Sequence, residues 1–310
     1  MSIAPSLRVL VTGSTGLLST ALLYSAPQHV KLKGTFYRNR LVPNVPGVEY
    51  EEMDITDRAS VDRVFQSFQP QVVVHTSGLG NIDYCEEHQD EAWRVNVIGT
   101  RHIVQAAEAV GAWLIFPSTS AIFDGANPPY AEDAPPRPVC YYGVTKLQSE
   151  NDLKGVSVPV TIVRLTTLFG WNNPQERLNP AAWAIEQLKQ QKPLALVTDV
   201  FNNFLSDQVA AEAIWRIVRG KHHGLFHVAG KEICSRYDFM MQLAEVFEFD
   251  RDLLSPVVLE TFTTLAPRPK NTCFDITKMQ TMLGVQPPTI HESLAWMRDH
   301  VPEATYWKKI

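Results

Sequence analysis

From Arg8 to Gly170, short β-branched runs alternate with longer stretches of helical spacing, the pattern that a parallel sheet with crossover helices requires. Strands are predicted over Arg8–Val11, Lys31–Tyr37, Val48–Glu52, Val72–His75, Trp113–Phe116 and Val160–Arg164. Between them, Ala59–Phe68 and Ala92–Ala109 place apolar residues at three- and four-residue intervals, which predicts crossover helices. The rhythm breaks at Trp171-Asn172-Asn173-Pro174, and helical pieces follow, separated by Pro193, Gly220 and Gly230. Pro267-Arg268-Pro269 and Pro287-Pro288 punctuate the remainder, and Ser293–His300 reads as a last amphipathic helix.

The chain has 310 residues, 45% of them hydrophobic and 20% charged, enough for two domains with an apolar core that needs no staples. With 28 basic and 33 acidic residues the net charge is −5, which argues against nucleic acid or an anionic membrane as partner. Cys85, Cys140, Cys234 and Cys273 are widely spaced, with no Cys-x-x-Cys pair, so neither a disulfide framework nor a zinc site is expected. His75, His222, His223 and His227 lack carboxylates or cysteines at ligand spacing, and structural roles with no metal are expected. Met1 to Leu7 holds no basic region followed by an apolar stretch, and no run approaches about 18 apolar residues. The expectation is a soluble, cytoplasmic protein with reduced thiols.

Val9-Leu10-Val11 runs directly into Thr12-Gly13-Ser14-Thr15-Gly16-Leu17-Leu18-Ser19, a strand, a glycine turn and a helix start. This is where a dinucleotide pyrophosphate would sit: Gly13 permits the turn, Gly16 lets phosphate approach the backbone, and the first helical amides donate to it. Ser19 stands at the third glycine position, where a small residue still allows helix–strand packing. The expected architecture is therefore α/β, a Rossmann-like doubly wound parallel sheet over 1–170 with a smaller C-terminal substrate-binding lobe over 171–310. Segments such as 194–229 are expected to return to the first domain. After the second strand, Tyr37-Arg38-Asn39-Arg40 offers two guanidiniums and no acid. Arg38 and Arg40 favour the 2′-phosphate of NADP, with NAD as the alternative cofactor and a solvated arginine loop as the competing explanation. Asp54-Ile55 would lie near the adenine, unless Asp54 only caps the following helix.

Tyr142 has Lys146 four residues later, on one helical face, within Tyr141-Tyr142-Gly143-Val144-Thr145-Lys146. A nearby ammonium lowers a phenol's pKa, and moving it from about 10 towards 7 takes roughly 4 kcal/mol. A phenol so tuned can protonate a carbonyl oxygen at neutral pH. About two dozen residues upstream, Phe116-Pro117-Ser118-Thr119-Ser120-Ala121-Ile122-Phe123-Asp124-Gly125 supplies hydroxyls to polarise that carbonyl.

These residues together resemble the extended short-chain dehydrogenase/reductases and, within them, the dTDP-4-dehydrorhamnose reductase group. The resemblance covers nearly all of the chain. It rests on residues Val11 to Leu18, Asp54-Ile55-Thr56-Asp57, Asn96-Val97-Ile98-Gly99-Thr100, Ser118-Thr119, Tyr142 to Lys146, and Ala266-Pro267-Arg268-Pro269. It implies Thr119 as the hydroxyl, Tyr142 as the acid and Lys146 as the residue that also grips the nicotinamide ribose. It further implies that Thr76-Ser77-Gly78 lies against the cofactor's ribose and phosphates and that Asn96 supports the active site.

The resemblance implies reduction of a nucleotide-activated 4-keto-6-deoxy sugar by NADPH. The group commonly has an acid and an aromatic where this chain has Ser120-Ala121, which leaves a non-sugar ketone as an alternative substrate. The same branch includes a cofactor-binding regulatory subunit, the β subunit of methionine adenosyltransferase, whose resemblance takes in Phe123-Asp124-Gly125-Ala126-Asn127-Pro128-Pro129-Tyr130. Ser120, Asn172, Asn203 and Arg268 are candidate substrate contacts, with Trp171, Asn173, Asn179 and Trp183 as further lining. Arg268 suits a pyrophosphate because a planar guanidinium matches phosphate oxygens. A homodimer stands open beside a monomer.

Overall fold

The computed structural model describes residues 6–38, 41–173, 176–263 and 266–301. In the first half, β1 (Leu7–Thr12), α1 (Leu17–Tyr24), β2 (Val30–Phe36) and β3 (Glu49–Glu52) are followed by α2 (Arg58–Phe68) and β4 (Val72–His75). Then come α3 (Ile82–Glu87), α4 (Gln89–Trp93), a π-helical turn over Arg94–Gly99, α5 (Thr100–Val110), β5 (Trp113–Thr119), α6 (Tyr141–Asp152), β6 (Val160–Leu165) and β7 (Leu168–Phe169). The rest comprises α7 (Pro180–Lys189), β8 (Leu194–Val197), β9 (Phe201–Asn202), β10 (Leu205–Ser206), α8 (Asp207–Gly220), β11 (Gly224–Val228) and β12 (Cys234–Ser235). It closes with α9 (Arg236–Val246), β13 (Leu254–Val257) and α10 (Ile290–Asp299).

Seven strands form one parallel sheet in the order β11-β6-β5-β4-β1-β2-β3. The order reverses between β1 and β4, and in such sheets the crevice outside the strands' carboxyl ends at that point receives the ligand. The central strands carry continuous apolar runs because both faces are covered: Val9, Leu10, Val11, Val73 and Val74 have no exposed surface. On one face α1 and α8 pack together, and the indole nitrogen of Trp215 donates to the Leu22 carbonyl at 3.1 Å. On the other, α2 buries Val61, Val64, Phe65 and Phe68 at helical spacing, each side chain stabilising by about 1.5–3 kcal/mol. Asp57 caps that helix through the Ala59 amide.

A separate apolar cluster gathers Ile185, Leu188, Leu196, Phe239, Leu243 and Leu294 from α7, β8, α9 and α10. Capping boxes at Ser235/Asp238 and Thr289/Glu292 start α9 and α10. Two predicted features differ. The single helix expected over Ala92–Ala109 contains the π-helical turn, where the Gly99 backbone lies against Ile55 too closely for a side chain. β11, which completes the sheet, was not among the predicted strands. Among the described residues, no helix is long and apolar enough to cross a membrane.

Candidate active site

The carboxyl ends of β1 and β4 meet where the glycine turn requires it. Gly13 has φ +63°, and a Cβ there would come within 2.9 Å of the Ser77 hydroxyl. Gly16 stands at the N-cap of α1, and no side chain caps that helix, so its first amides face the crevice with the helix dipole behind them. Ser19 ties the turn back on itself, donating to the Gly13 carbonyl at 2.6 Å. Ser14 is buried with its hydroxyl unpartnered, as is Ser118 at the end of β5. Thr15 donates to Glu176 at 2.6 Å. A backbone cradle that a side chain would fill, free helical amides and orphaned hydroxyls are what a dinucleotide phosphate needs.

One hydrogen-bond chain fixes the surroundings of this crevice. The Thr100 hydroxyl donates to the Asn96 carbonyl at 2.6 Å, so the Nε2 of His75, 3.1 Å from that hydroxyl, carries the ring proton. Nδ1 then accepts from Thr12 at 2.9 Å, and Thr12 Oγ1 accepts the Ser77 amide at 3.1 Å. Burial, aided by the charge of Lys146, keeps this imidazole neutral, with its pKa pushed down to about 3. Thr76 donates to the Thr12 carbonyl, and Gly78 lies against the Asn96 side chain. The Asn96 amide accepts from the Leu79 nitrogen at 2.8 Å and donates to Thr145 of α6 at 3.0 Å, joining the post-β4 loop to α6.

α6 presents Tyr142 and Lys146 beside the end of β5. The Thr119 hydroxyl lies close enough to the Tyr142 phenol to act on its pKa, while its oxygen accepts the Ala121 amide at 3.1 Å. Lys146 donates to the Pro117 carbonyl at 2.8 Å, and its ammonium lies 3.8 Å from the centre of the Phe116 ring. Glu86 of α3 caps α6 by accepting the Tyr141 amide at 2.9 Å. The expected lysine-tuned phenol is not what this environment produces. Burial dominates both groups, raising Tyr142 to about 12 against the Thr119 hydroxyl and lowering Lys146 to about 7 against the charge of Glu150.

Of the remaining expected residues, Leu17 and Leu18 open α1, and Arg38 is exposed beyond β2 with its guanidinium 4.7 Å from the Tyr37 ring. Arg40 lies outside the described residues. Asp54 accepts the Thr56 amide and hydroxyl at 2.8 Å in a tight turn, while Asp57 is the cap of α2; Ile55 packs under Gly99. Ser120 is buried against Thr272. Asn203 engages the Phe274 nitrogen and carbonyl, both at 3.0 Å, and Asn172 engages Arg177 and Asn179, so these two amides hold loops together. Arg268 donates to Asp83 at 2.6 Å. Arg236, first in α9, keeps solvent contact, yet burial and the charges of Arg268 and Arg177 hold its guanidinium below the usual arginine range. Arg236, Arg177, Glu176 and Glu150 give no spacing signal in the sequence because the groups they meet lie far away along the chain.

Among the described residues, no three His, Cys, Asp or Glu side chains are placed to hold a metal, and the four cysteines are buried and free. A groove of about 680 Å³ between α1, α8 and α10 contains none of the expected site residues.

Residues 7–302 match the family described as the RmlD substrate binding domain. The chain belongs to that family. Its relatives and structural neighbours include extended short-chain NAD(P)-dependent oxidoreductases, and the seven-stranded parallel sheet with flanking helices matches theirs. The chain is 30% identical to methionine adenosyltransferase 2 subunit beta of Bos taurus over 299 residues, covering 92% of this chain and 85% of the relative. It is 27% identical to dTDP-4-dehydrorhamnose reductase of Aggregatibacter actinomycetemcomitans over 304 residues, covering 94% and 98%. The dTDP-4-dehydrorhamnose reductase of Bacillus anthracis str. Ames, solved in complex with NADP, superposes with a TM-score of 0.81 at 25% identity, covering 96% and 100%.

Proposed function

We propose that this protein is an NADPH-dependent carbonyl reductase acting on a nucleotide-activated 4-keto-6-deoxy sugar, with Thr119, Tyr142 and Lys146 as its catalytic residues. The observation that carries this reading is that Tyr142 lies next to Thr119 on a helix whose Lys146 donates to the Pro117 carbonyl and acts on His75 at the glycine crevice. The first amides of α1, with Gly13, Gly16, Ser14, Ser77 and Ser118, suit the dinucleotide, and Arg38 at the carboxyl end of β2 suits a 2′-phosphate. When bound, the nicotinamide supplies the hydride.

Tyr142 holds its proton throughout the neutral range, because burial keeps the phenol at about 12. Thr119 would direct that phenol and, with substrate bound, turn its hydroxyl proton to the same carbonyl oxygen. Tyr142 then gives its proton to the oxygen as negative charge develops there. Lys146, where ionised, opposes the charge left on the phenolate and suits the ribose hydroxyls. Arg268, Arg236 and Arg177 lie near enough for their charges to interact, with Asp83 paired to Arg268, and such a group of guanidiniums would suit an anionic, diphosphate-bearing substrate.

Fluorescence titration with NADPH and NADH, followed by a panel of nucleotide 4-keto sugars with cofactor absorbance recorded, tests the reading. NADPH oxidation by one sugar is the expected result, and Tyr142→Phe should abolish it while NADPH still binds. Turnover retained in Tyr142→Phe would remove the phenol from its role. The likeness to the methionine adenosyltransferase subunit and the small Ser120-Ala121 pair favour a second reading, a cofactor-binding regulatory subunit. Tight NADPH binding with no turnover on any sugar would support it.

A further inference from the structure

The residues that α6 buries are Gly143, Thr145, Ser149 and Glu150, so a polar face docks this helix into the molecule. Apolar burial is non-directional and leaves a helix some freedom to rotate, whereas hydrogen bonds and forked ion pairs fix angle and register together. Thr145 accepts from Asn96, and Ser149 donates to the Asn96 carbonyl at 2.8 Å. One turn beyond Lys146, Glu150 receives Arg164 of β6 through Nε to Oε1 at 3.0 Å and Nη2 to Oε2 at 2.8 Å, the two side chains being 4% and 7% exposed.

Arg164 is held in turn. Its Nη1 donates to His227 Nε2 at 3.2 Å, and the His227 Nδ1 donates to the Tyr130 carbonyl at 3.0 Å, which leaves Nε2 as the acceptor. Burial and the Arg164 charge keep this imidazole neutral. In the β5–β6 register Arg164 stands beside Ser118 and Leu165 beside Thr119. The pair therefore links the helix carrying phenol and amine to the strands carrying the hydroxyl.

We propose that Glu150 and Arg164 are positioning residues of this site: their buried ion pair fixes the rotation of α6, setting Tyr142 against Thr119, and keeps a carboxylate behind the Lys146 ammonium. The inference rests on the carbonyl-reductase reading for what Tyr142 and Lys146 do. Glu150 favours the charged form of Lys146 against burial. Besides Glu150, His75 from β4, neutral at pH 7, is near enough to feel the Lys146 charge, Tyr142 stands one turn back on the same helix and is neutral at pH 7, and Arg164 lies behind Glu150. Removing the Glu150 charge lowers the pH at which Lys146 gives up its proton.

The test is competitive acetylation of the full-length protein with acetic anhydride from pH 6 to 10, with Lys146 read by mass spectrometry. Amide exchange over residues 141–152 and NADPH titration accompany it. In Glu150→Gln the Lys146 midpoint should fall by about half a pH unit or more, and α6 amides should exchange about ten-fold faster. Arg164→Lys, which keeps the charge and loses the fork, should speed α6 exchange without lowering the Lys146 midpoint. A role in stability alone would speed exchange and leave the midpoint in place. A Glu150→Gln protein with an unmoved Lys146 midpoint, or with wild-type exchange in α6, overturns the proposal. Absence of NADPH binding in the wild-type protein would overturn the carbonyl-reductase reading instead, since the acetylation and exchange results do not depend on cofactor.

Discussion

Burial acts on Tyr142 and Lys146 in opposite senses, because one is charged after losing a proton and the other before. The phenol keeps its proton at every physiological pH, while the amine, at about 7, divides between its two forms near neutrality. Arg268 differs from both. It is partly exposed and already bonded to Asp83, whose carboxyl that bond holds below the usual range. If it faces a diphosphate, Arg268→Ala should raise KM for a nucleotide sugar about 10- to 100-fold, the worth of a charge-assisted fork, and leave a small neutral ketone unaffected. Steady-state kinetics on both substrates check this, and equal losses would remove Arg268 from the substrate site. Tyr142, Lys146 and Gly13 were legible as candidates because each stands in a short motif. Glu150 was not, since its partner Arg164 is brought to it only when β6 joins the sheet.

At the scale of the element, α6 depends on close approach as well as on polar contacts. A Cβ on Gly143 would lie 2.2 Å from the Ala121 carbonyl and 2.9 Å from the Pro138 ring, both on the segment that follows β5. Gly143→Ala should push the helix away from Thr119. A loss of about 1–3 kcal/mol in stability is expected, with turnover falling further than stability, measured by urea unfolding and initial rates on one preparation. A variant as active as wild type would show that the helix can shift without disturbing the site. The turn over Arg94–Gly99 escaped the sequence because π and α segments share apolar spacing over so few residues. Its consequence is local: the Asn96 carbonyl accepts hydroxyls from Thr100 and Ser149.

For the molecule as a whole, the buried histidines set the response to acid. His75 and His227 are lowered to about 3, so below pH 6.5 the unfolded chain binds protons there that the folded chain does not. Asp207 opposes them: burial raises it to about 7, so the folded chain holds a proton that the unfolded one releases above its ordinary range. Between pH 6 and 5 the unfolded state binds about one proton more at these three groups than the folded state does, and stability should fall on acidification by on the order of 1 kcal/mol per pH unit. Urea unfolding at pH 5, 6 and 7 measures it, and a flat or rising stability would show that at least one of the two histidines titrates normally.

The sequence alone determined the alternation of strand and helix up to Gly170, because period-two and period-3.6 apolar patterns are local properties of the chain. It also determined the glycine turn, since a strand, a turn with positive φ and a helix start lie within a dozen residues. Tertiary structure decided what distance along the chain conceals. It brought β11 beside β6, Thr119 beside Tyr142, Glu176 beside Thr15 and Arg164 beside Glu150. It also decided the ionisation of the site, because desolvation depends on what surrounds a group in space and not on its neighbours in sequence.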